Sequence, residues 1–513
     1  MKLFNKKSGV LLHITSLPSK YGIGDFGPQA YEFAKILKDY SQSIWQILPV
    51  TPTSRLKHYS PYASISAFAG NTMLINPLLL YEENYLKKED FLSHTRDLGS
   101  TPESDYVDFR AVMKSRETLL NKAFLNFQDR NNFNDNDFQE FCQKHEEEWL
   151  DSFSIFNVLK RKYKNISWSR WPDEIKKGLK IIEVSDYKMN IEILKEKFLQ
   201  FVFFQQWLRL KKYCNSIGLK IIGDIPIYMD YESSDVWSNP EIFKLDKNKK
   251  PEFVSGVPPD YYSATGQLWN NPVYNWENLK KENYRWWLKR IMHNLELFDY
   301  VRLDHFRGFV KYWEVKAGEK TAKNGKWQKA EPEDFFRILR GEINSKFKYM
   351  PIIAEDLGYI TYDVIKVMKK NKFPGIRVIL FAFGKDFPYS IHLPENYDDN
   401  CIAYTGTHDN NTVYGFVLRE AKEYEKKNII KYLKLESVSE LNNISMEFIK
   451  RISSSKADLT IFPVQDILGF DHRARMNKPS TKRKNWRWKL KSSDLNIQKF
   501  EELKNITERN KRI

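Results

Sequence analysis

Short apolar runs bounded by Gly, Pro, Asn or Asp punctuate the chain at residues 9–14, 44–50, 219–227, 300–303, 351–354, 376–383, 402–405 and 459–464. Runs of this length and flanking predict strands. Several show no polar alternation, as expected of strands covered on both faces. Helical patterns lie between many of them, at 30–40 and around 365–370 for example. Strands alternating with helices predict an α/β fold with a parallel sheet. Eight of them predict closure into a (β/α)8 TIM barrel.

The rhythm breaks between residues 50 and 219, where helical stretches run over 113–127, 138–153 and 193–213. In the last, Leu194, Phe198, Phe201, Val202 and Leu208 recur at helical spacing. The segment reads as a mainly helical subdomain, bounds 56–215, inserted after the second strand of a single catalytic domain spanning 1–513. Long loops are expected over the C-terminal face of the barrel. No internal repeat, Pro/Ser-rich linker or long low-complexity tract is evident.

Composition adds little. The chain is 42% hydrophobic and 15% aromatic, enough for a large core. Aromatic rings can also stack on sugar faces, but composition alone favours packing. The net charge of +16 comes mostly from Lys scattered among Glu and Asn, densest at 366–372 and 482–484. It reads as solvated surface, not a nucleic-acid footprint. Cys142, Cys214 and Cys401 are odd in number and show no CxxC spacing, so neither a disulfide framework nor a zinc site is expected. The N-terminal apolar run is too short for a signal segment, and no stretch approaches the ~20 apolar residues of a membrane span. A cytoplasmic protein that binds neither nucleic acid nor membrane is expected.

Candidate chemistry sits at strand ends, where barrels place their catalytic groups. The third strand gives IIGDIPI with Asp224, the fourth YVRLDHF with Asp304, the fifth IIAEDL with Glu355 and Asp356, and the seventh AYTGTHDN with Asp409. One carboxylate after a strand is unremarkable, because Asp often caps the next helix. Several converging on one barrel mouth suggest an active site. They could hold a metal with His305, His408 and Asn410. They could instead run glycoside chemistry, in which one carboxylate attacks and another gives and takes a proton. Arg302 precedes Asp304 by two residues, so both side chains point the same way and the cation would keep Asp304 ionised. That arrangement favours glycoside chemistry. Gly22, Gly24 and Gly27 spell GxGxxG, but Pro18 and three further residues separate them from the strand. They suit a turn better than a nucleotide site.

Long motifs carry a resemblance: SGVLLHITSLPSKYGIGDFGP, SPYASISAFAGN, GDIPIY, DVWSNPEIF, GVPPDYYSATGQLWNNPVYNWE, VRLDHFRGFVKYWEVKAG, IIAEDLG, FPGIRVILFAFG, YTGTHDNNT and ARMNKPSTKRKNWRW. From about residue 8 to about residue 490 the sequence resembles the 4-α-glucanotransferases of glycoside hydrolase family 77, the amylomaltases or disproportionating enzymes. The resemblance implies a barrel without a separate C-terminal β-domain. It implies transfer of α-1,4-glucan segments from a malto-oligosaccharide donor to the 4-OH of glucose or a glucan, by double displacement through a covalent glucosyl-enzyme. No cofactor or metal is implied. Asp304 matches the nucleophile, Glu355 the acid/base and Asp409 the carboxylate that stabilises the transition state. Arg302, His305, His408 and Asp224 match donor-site residues. Asp260, Gln267 and Trp269 fall in the motif of a loop at 256–271 that grips acceptor, and Ser60 and Tyr62 in a sugar-contacting segment. An α-amylase-type hydrolase would share the three carboxylates and stays open as the alternative.

The bland readings cover other residues. Trp486 and Trp488 read as packing, and His94 and His145 as solvated helix positions. Departures from the family pattern are the longer, basic SRLKHY at 54–59, Asn411 for a usual Asp, Asn270 for a common Gly, Asp471 to Arg473 for a usual Gly-Ser-Glu, and Ser480 for a usual Gly.

Overall fold

The computed structural model describes residues 2–97, 104–130, 135–176, 187–259, 263–436, 443–481 and 483–513. Among the described residues twelve strands occur in chain order: β1 Lys7–Leu11, β2 Ile44–Gln46, β3 Lys220–Ile225, β4 Phe253–Val257, β5 Gln267–Pro272, β6 Tyr300–Leu303, β7 Lys311–Lys316, β8 Lys326–Lys329, β9 Ile352–Ala354, β10 Gly375–Val378, β11 Cys401–Tyr404 and β12 Leu459–Pro463. Each of the eight predicted runs contains or overlaps one of them.

Eight of these form a parallel sheet in the order β10-β11-β12-β1-β2-β3-β6-β9. The two ends meet: Ala354 N–H donates to the Pro374 carbonyl at 3.1 Å. Asp356 reinforces the seam, accepting from Ile376 N–H at 2.6 Å and pairing with Arg377 at 3.0 Å. The result is the expected (β/α)8 barrel. Its strands are buried on both faces, which is why they read as unbroken apolar runs. The glycine-rich turn folds back on the chain leaving β1, with Gly24 N–H on the Thr15 carbonyl at 3.2 Å. A Cβ on Gly24 would stand 1.9 Å from the Ile14 carbonyl oxygen, so only glycine fits there.

The helical segment after β2 is largely as expected, with two corrections. The stretch predicted at 138–153 is three pieces: helix Asn136–His145, a π turn Glu146–Leu150 and helix Asp151–Lys162. His145 is buried, not solvated: its ring packs against Phe141, Trp149, Phe204 and His293. The side chain of His94 lies outside the described residues. The long helix Tyr187–Ser216 ties the segment to the barrel. Gln200 exchanges two hydrogen bonds with the Gly70 backbone, and Gln206 does the same with Asn76. Trp207 is fully buried, 5.2 Å from Phe26 and 5.7 Å from Phe298, and its indole N–H reaches the Leu297 carbonyl at 3.1 Å. One apolar cluster therefore runs from the barrel strands into these helices.

A second sheet was not anticipated. Strands β5-β4-β7-β8 pair antiparallel, two supplied by the connection after β3 and two by that after β6. The segment expected as a loop at 256–271 begins on β4 and ends on β5, which pair with each other, and residues 260–262 within it lie outside the described residues. After β12 the described residues form the one-turn helix Val464–Ile467, short 3-10 turns and the helix Ile497–Arg509. Among the described residues no helix is long and apolar enough to cross a membrane.

Because Trp207 joins both parts of this core, Trp207→Ala is expected to cost about 3–5 kcal/mol. Urea denaturation should show one cooperative transition at a lower midpoint. A biphasic curve would mean that the helices and the barrel unfold separately.

Candidate active site

The β3–β6 pairing sets Asp224 opposite Arg302, so both side chains enter the same face of the barrel. Asp304, two residues on, joins them. The buried Arg302 guanidinium bridges the two carboxylates. Its Nη1 lies 2.8 and 2.7 Å from the Asp224 oxygens and 3.0 Å from Asp304 Oδ1, which Nη2 also meets at 2.8 Å. Burial disfavours this cation, but Asp224 and Asp304 outweigh burial and hold it well above its ordinary value. The Tyr62 hydroxyl donates to Asp224 Oδ2 at 2.6 Å.

Glu355 follows β9 beside this group. The backbone turns left-handed at His305 (φ 49°), and that turn aims the His305 N–H at Glu355 Oε2, 2.8 Å away. Leu357 N–H takes Oε1 at 2.9 Å. Burial pushes the Glu355 carboxyl up to about 7, with Arg302 and the two backbone N–H groups opposing and Asp356 adding to the rise. Burial also pushes Asp304 up; Arg302 opposes, while Asp224, Glu355 and Asp409 add to it. Like charges in one mouth retain a proton between them. Arg302 donates twice to Asp304, whereas Glu355 accepts from backbone N–H groups, so the cation favours the ionised form of Asp304 over that of Glu355.

Asp409 stands at the rim, its side chain 45% exposed. Asn477 donates to its Oδ1 at 2.6 Å, and His408 Nε2 lies 3.4 Å from its Oδ2. The His408 ring stacks on Tyr62 (centroids 5.0 Å apart, 13° between planes). Trp486 tilts against both rings, which is the packing role expected of it; Trp488 is buried as well. Burial pushes the His408 imidazole down, with Asp409 opposing, and drives His305 to about 4. Both rings are therefore neutral hydrogen-bonding groups near pH 7.

The structure thus brings Asp224, Arg302, Asp304, His305, Glu355, His408, Asp409 and Tyr62 together. Trp269 on β5 meets the His305 ring edge-on at 4.9 Å, and its indole N–H donates to Gln267 Oε1 at 3.3 Å. Ser60 is one step removed, its hydroxyl accepting the Tyr62 N–H at 3.3 Å. Asp260 lies outside the described residues. Asp356, next to Glu355, serves the barrel seam instead. Among the described residues no group of three or more His, Cys, Asp and Glu is placed to hold a metal.

Sequence reasoning missed three neighbours. Asn477 and Arg475 hold Asp409, the latter through its backbone carbonyl at 2.9 Å. Both lie in the quoted ARMN motif, which was the available signal. His13, just past β1, is buried, and burial followed by nearby His408 pushes it down to about 3. The departures also find physical readings. Asn270 (φ 64°) and Ser480 (φ 63°) occupy left-handed positions, which explains the common glycines there and why Asn is the milder replacement. In the 54–59 segment Lys57 pairs with Asp230 at 2.5 Å, and Tyr59 stacks on Phe109 at 4.5 Å.

Comparison with known proteins agrees with this geometry. A glycoside hydrolase family 77 model, described as 4-alpha-glucanotransferase, matches residues 12–495. The 4-alpha-glucanotransferase of Clostridium butyricum is 45% identical over 487 residues, covering 94% of this chain and 96% of the relative. That of Aquifex aeolicus is 44% identical over 490 residues, covering 94% and 95%. The amylomaltase of Streptococcus agalactiae, solved in complex with acarbose, superposes with a TM-score of 0.90 at 37% identity over 99% of both chains. These relatives are named as transferases, against the hydrolase alternative, and the chain belongs to the 4-alpha-glucanotransferases of glycoside hydrolase family 77.

Proposed function

We propose that Asp304, Glu355 and Asp409 carry the glucanotransferase reaction of this chain, with malto-oligosaccharides as donors and glucose or α-1,4-glucans as acceptors. The observation that carries the assignment is the unequal treatment of two neighbouring carboxylates: Arg302 bonds Asp304 twice, and Glu355 accepts only backbone N–H groups. The first therefore stays ionised for attack while the second keeps a proton to give.

In the first half-reaction Asp304 attacks C1 of the donor sugar. Glu355 protonates the leaving oxygen, and a β-glucosyl ester forms. In the second, the Glu355 carboxylate takes the proton of the acceptor 4-OH, which attacks C1 and displaces Asp304. Two inversions restore the α bond. Asp409, Asp224, Arg302, Tyr62 and His408 bind donor hydroxyls, and Asp409 stabilises the positive charge developing at C1. Water competes for the ester at about 55 M, so a sugar prevails only through bound orientation. We assign that grip to the β4–β5 hairpin, with Gln267, Trp269 and Asp260, and to the neighbouring His305. Ser60 supports the donor site by fixing Tyr62.

Segment 56–215 is read as a subdomain carried by one catalytic domain. The three cysteines are free, buried thiols, which suits a reducing cytoplasm.

With maltotriose alone, the protein should yield glucose and longer chains with no net gain in reducing ends. A rise in reducing ends would establish hydrolysis instead. Glu355→Gln is expected to lower kcat on maltotriose by about 10²–10⁴. It should spare the glucosylation burst from α-maltotriosyl fluoride, whose leaving group needs no proton. Asp304→Asn should abolish that burst; a variant that retains it would exclude Asp304 as the nucleophile.

The Glu355 value of about 7 sets the pH dependence. Donor cleavage needs its protonated form, present below that pH. Above it, kcat/KM for donor should fall about tenfold per pH unit. This alkaline limb should vanish for α-maltotriosyl fluoride. A limb of equal position with both donors would assign the titration to another group.

A further inference from the structure

Glu355 is held by the loops that follow β6 and β9, and a second contact joins the same two loops further along. The buried Arg307 donates Nη1 to the Tyr359 carbonyl. Its guanidinium lies 3.9 Å over the Trp327 ring on β8 and 5.2 Å over the Tyr359 ring. Trp327 meets Trp313 of β7 edge-on at 5.2 Å. A cation flanked by two rings is a firm mount, because each π face attracts it.

What it mounts is open to solvent. Tyr359 is 75% exposed, and Tyr362, opening the helix Tyr362–Asn371, is 81% exposed. Singly exposed aromatics need no explanation. Here a buried guanidinium and an indole are committed to fixing one of a pair, four residues from Glu355. Those four residues span at most roughly 14 Å, a reach of a few sugar units.

The chemistry fixes the side. Glu355 protonates the leaving oxygen, so the departing chain, and the acceptor that replaces it, lie on its side of the scissile bond. A tyrosine ring offers an apolar face with a polar tip, suited to the face of a pyranose. We propose that Tyr359, clamped by Arg307 and Trp327 and flanked by Tyr362, is an acceptor-side platform that stacks glucose units of an α-1,4-glucan beyond the one being joined. This rests on the assignment of Glu355 above.

Transfer from α-maltotriosyl fluoride to labelled glucose and to labelled maltotriose tests it. Glucose fills only the joining position, whereas maltotriose reaches further. For Tyr359→Ala the ratio of acceptor kcat/KM, maltotriose over glucose, should fall roughly five- to tenfold. Tyr359→Phe, which keeps the ring, should restore the ratio. An unchanged ratio in Tyr359→Ala, or a Phe variant as impaired as the Ala variant, overturns the platform. Failure of the unaltered protein to transfer to either sugar overturns the Glu355 reading beneath it, which the ratio alone cannot do.

Discussion

The active site is organised around one buried cation. Arg302 is 4% exposed and has two carboxylates for partners, one on its own strand end and one on the neighbouring strand. Taking a guanidinium out of water costs several kcal/mol unless its partners are well placed, and a buried carboxylate without a cation costs as much. The triad Asp224–Arg302–Asp304 satisfies all three groups only while β3 and β6 keep their register. Strand pairing and site geometry are thus one constraint. A one-residue slip would turn Arg302 and Asp304 together away from the mouth and separate both from Asp224. The same constraint distinguishes the two reacting carboxylates, since the cation hydrogen-bonds Asp304 and acts on Glu355 only through its field.

The period of two along a strand also explains why adjacent acids have unrelated jobs. Glu355 and Asp356 follow β9 side by side. Glu355 faces the mouth and takes the His305 and Leu357 N–H groups. Asp356 turns the other way, accepts the Ile376 N–H and pairs with Arg377, closing the sheet. The residue proposed to handle the proton is therefore anchored beside the last hydrogen bonds of the barrel. Closure and proton handling draw on the same three residues of backbone.

Much of this was legible in the sequence, for a definite reason. The barrel strands are buried on both faces, so their signal is a run of apolar residues that needs no knowledge of partners. The carboxylates at their ends were legible because the fold places strand ends at one mouth. Contacts made far along the chain were not. Asn477 meets Asp409 across 68 residues, and the ARMN motif that contains it does not say which distant residue it supports. His145 was expected at a solvated helix position, yet the π turn that follows it leaves the ring among aromatics. The small sheet was invisible for the same reason: β4 is paired by β7, across the whole of β6.

That unforeseen sheet bears on why an enzyme of this kind transfers instead of hydrolysing. A floppy loop could bind an acceptor only by ordering itself, and each ordered residue opposes binding by roughly 1–2 kcal/mol. Here Gln267 and Trp269 stand on β5, whose neighbour β4 is paired in turn to β7, and β7 to β8 with Trp327. The connections after β3 and β6 are thereby locked to each other before any sugar arrives. Trp269 touches His305, whose own N–H holds Glu355, so the wall proposed for the acceptor and the proposed acid/base share one rigid support. A wall ordered in advance spends little binding energy on itself. That margin is what a bound hydroxyl needs to outrun water at the glucosyl ester.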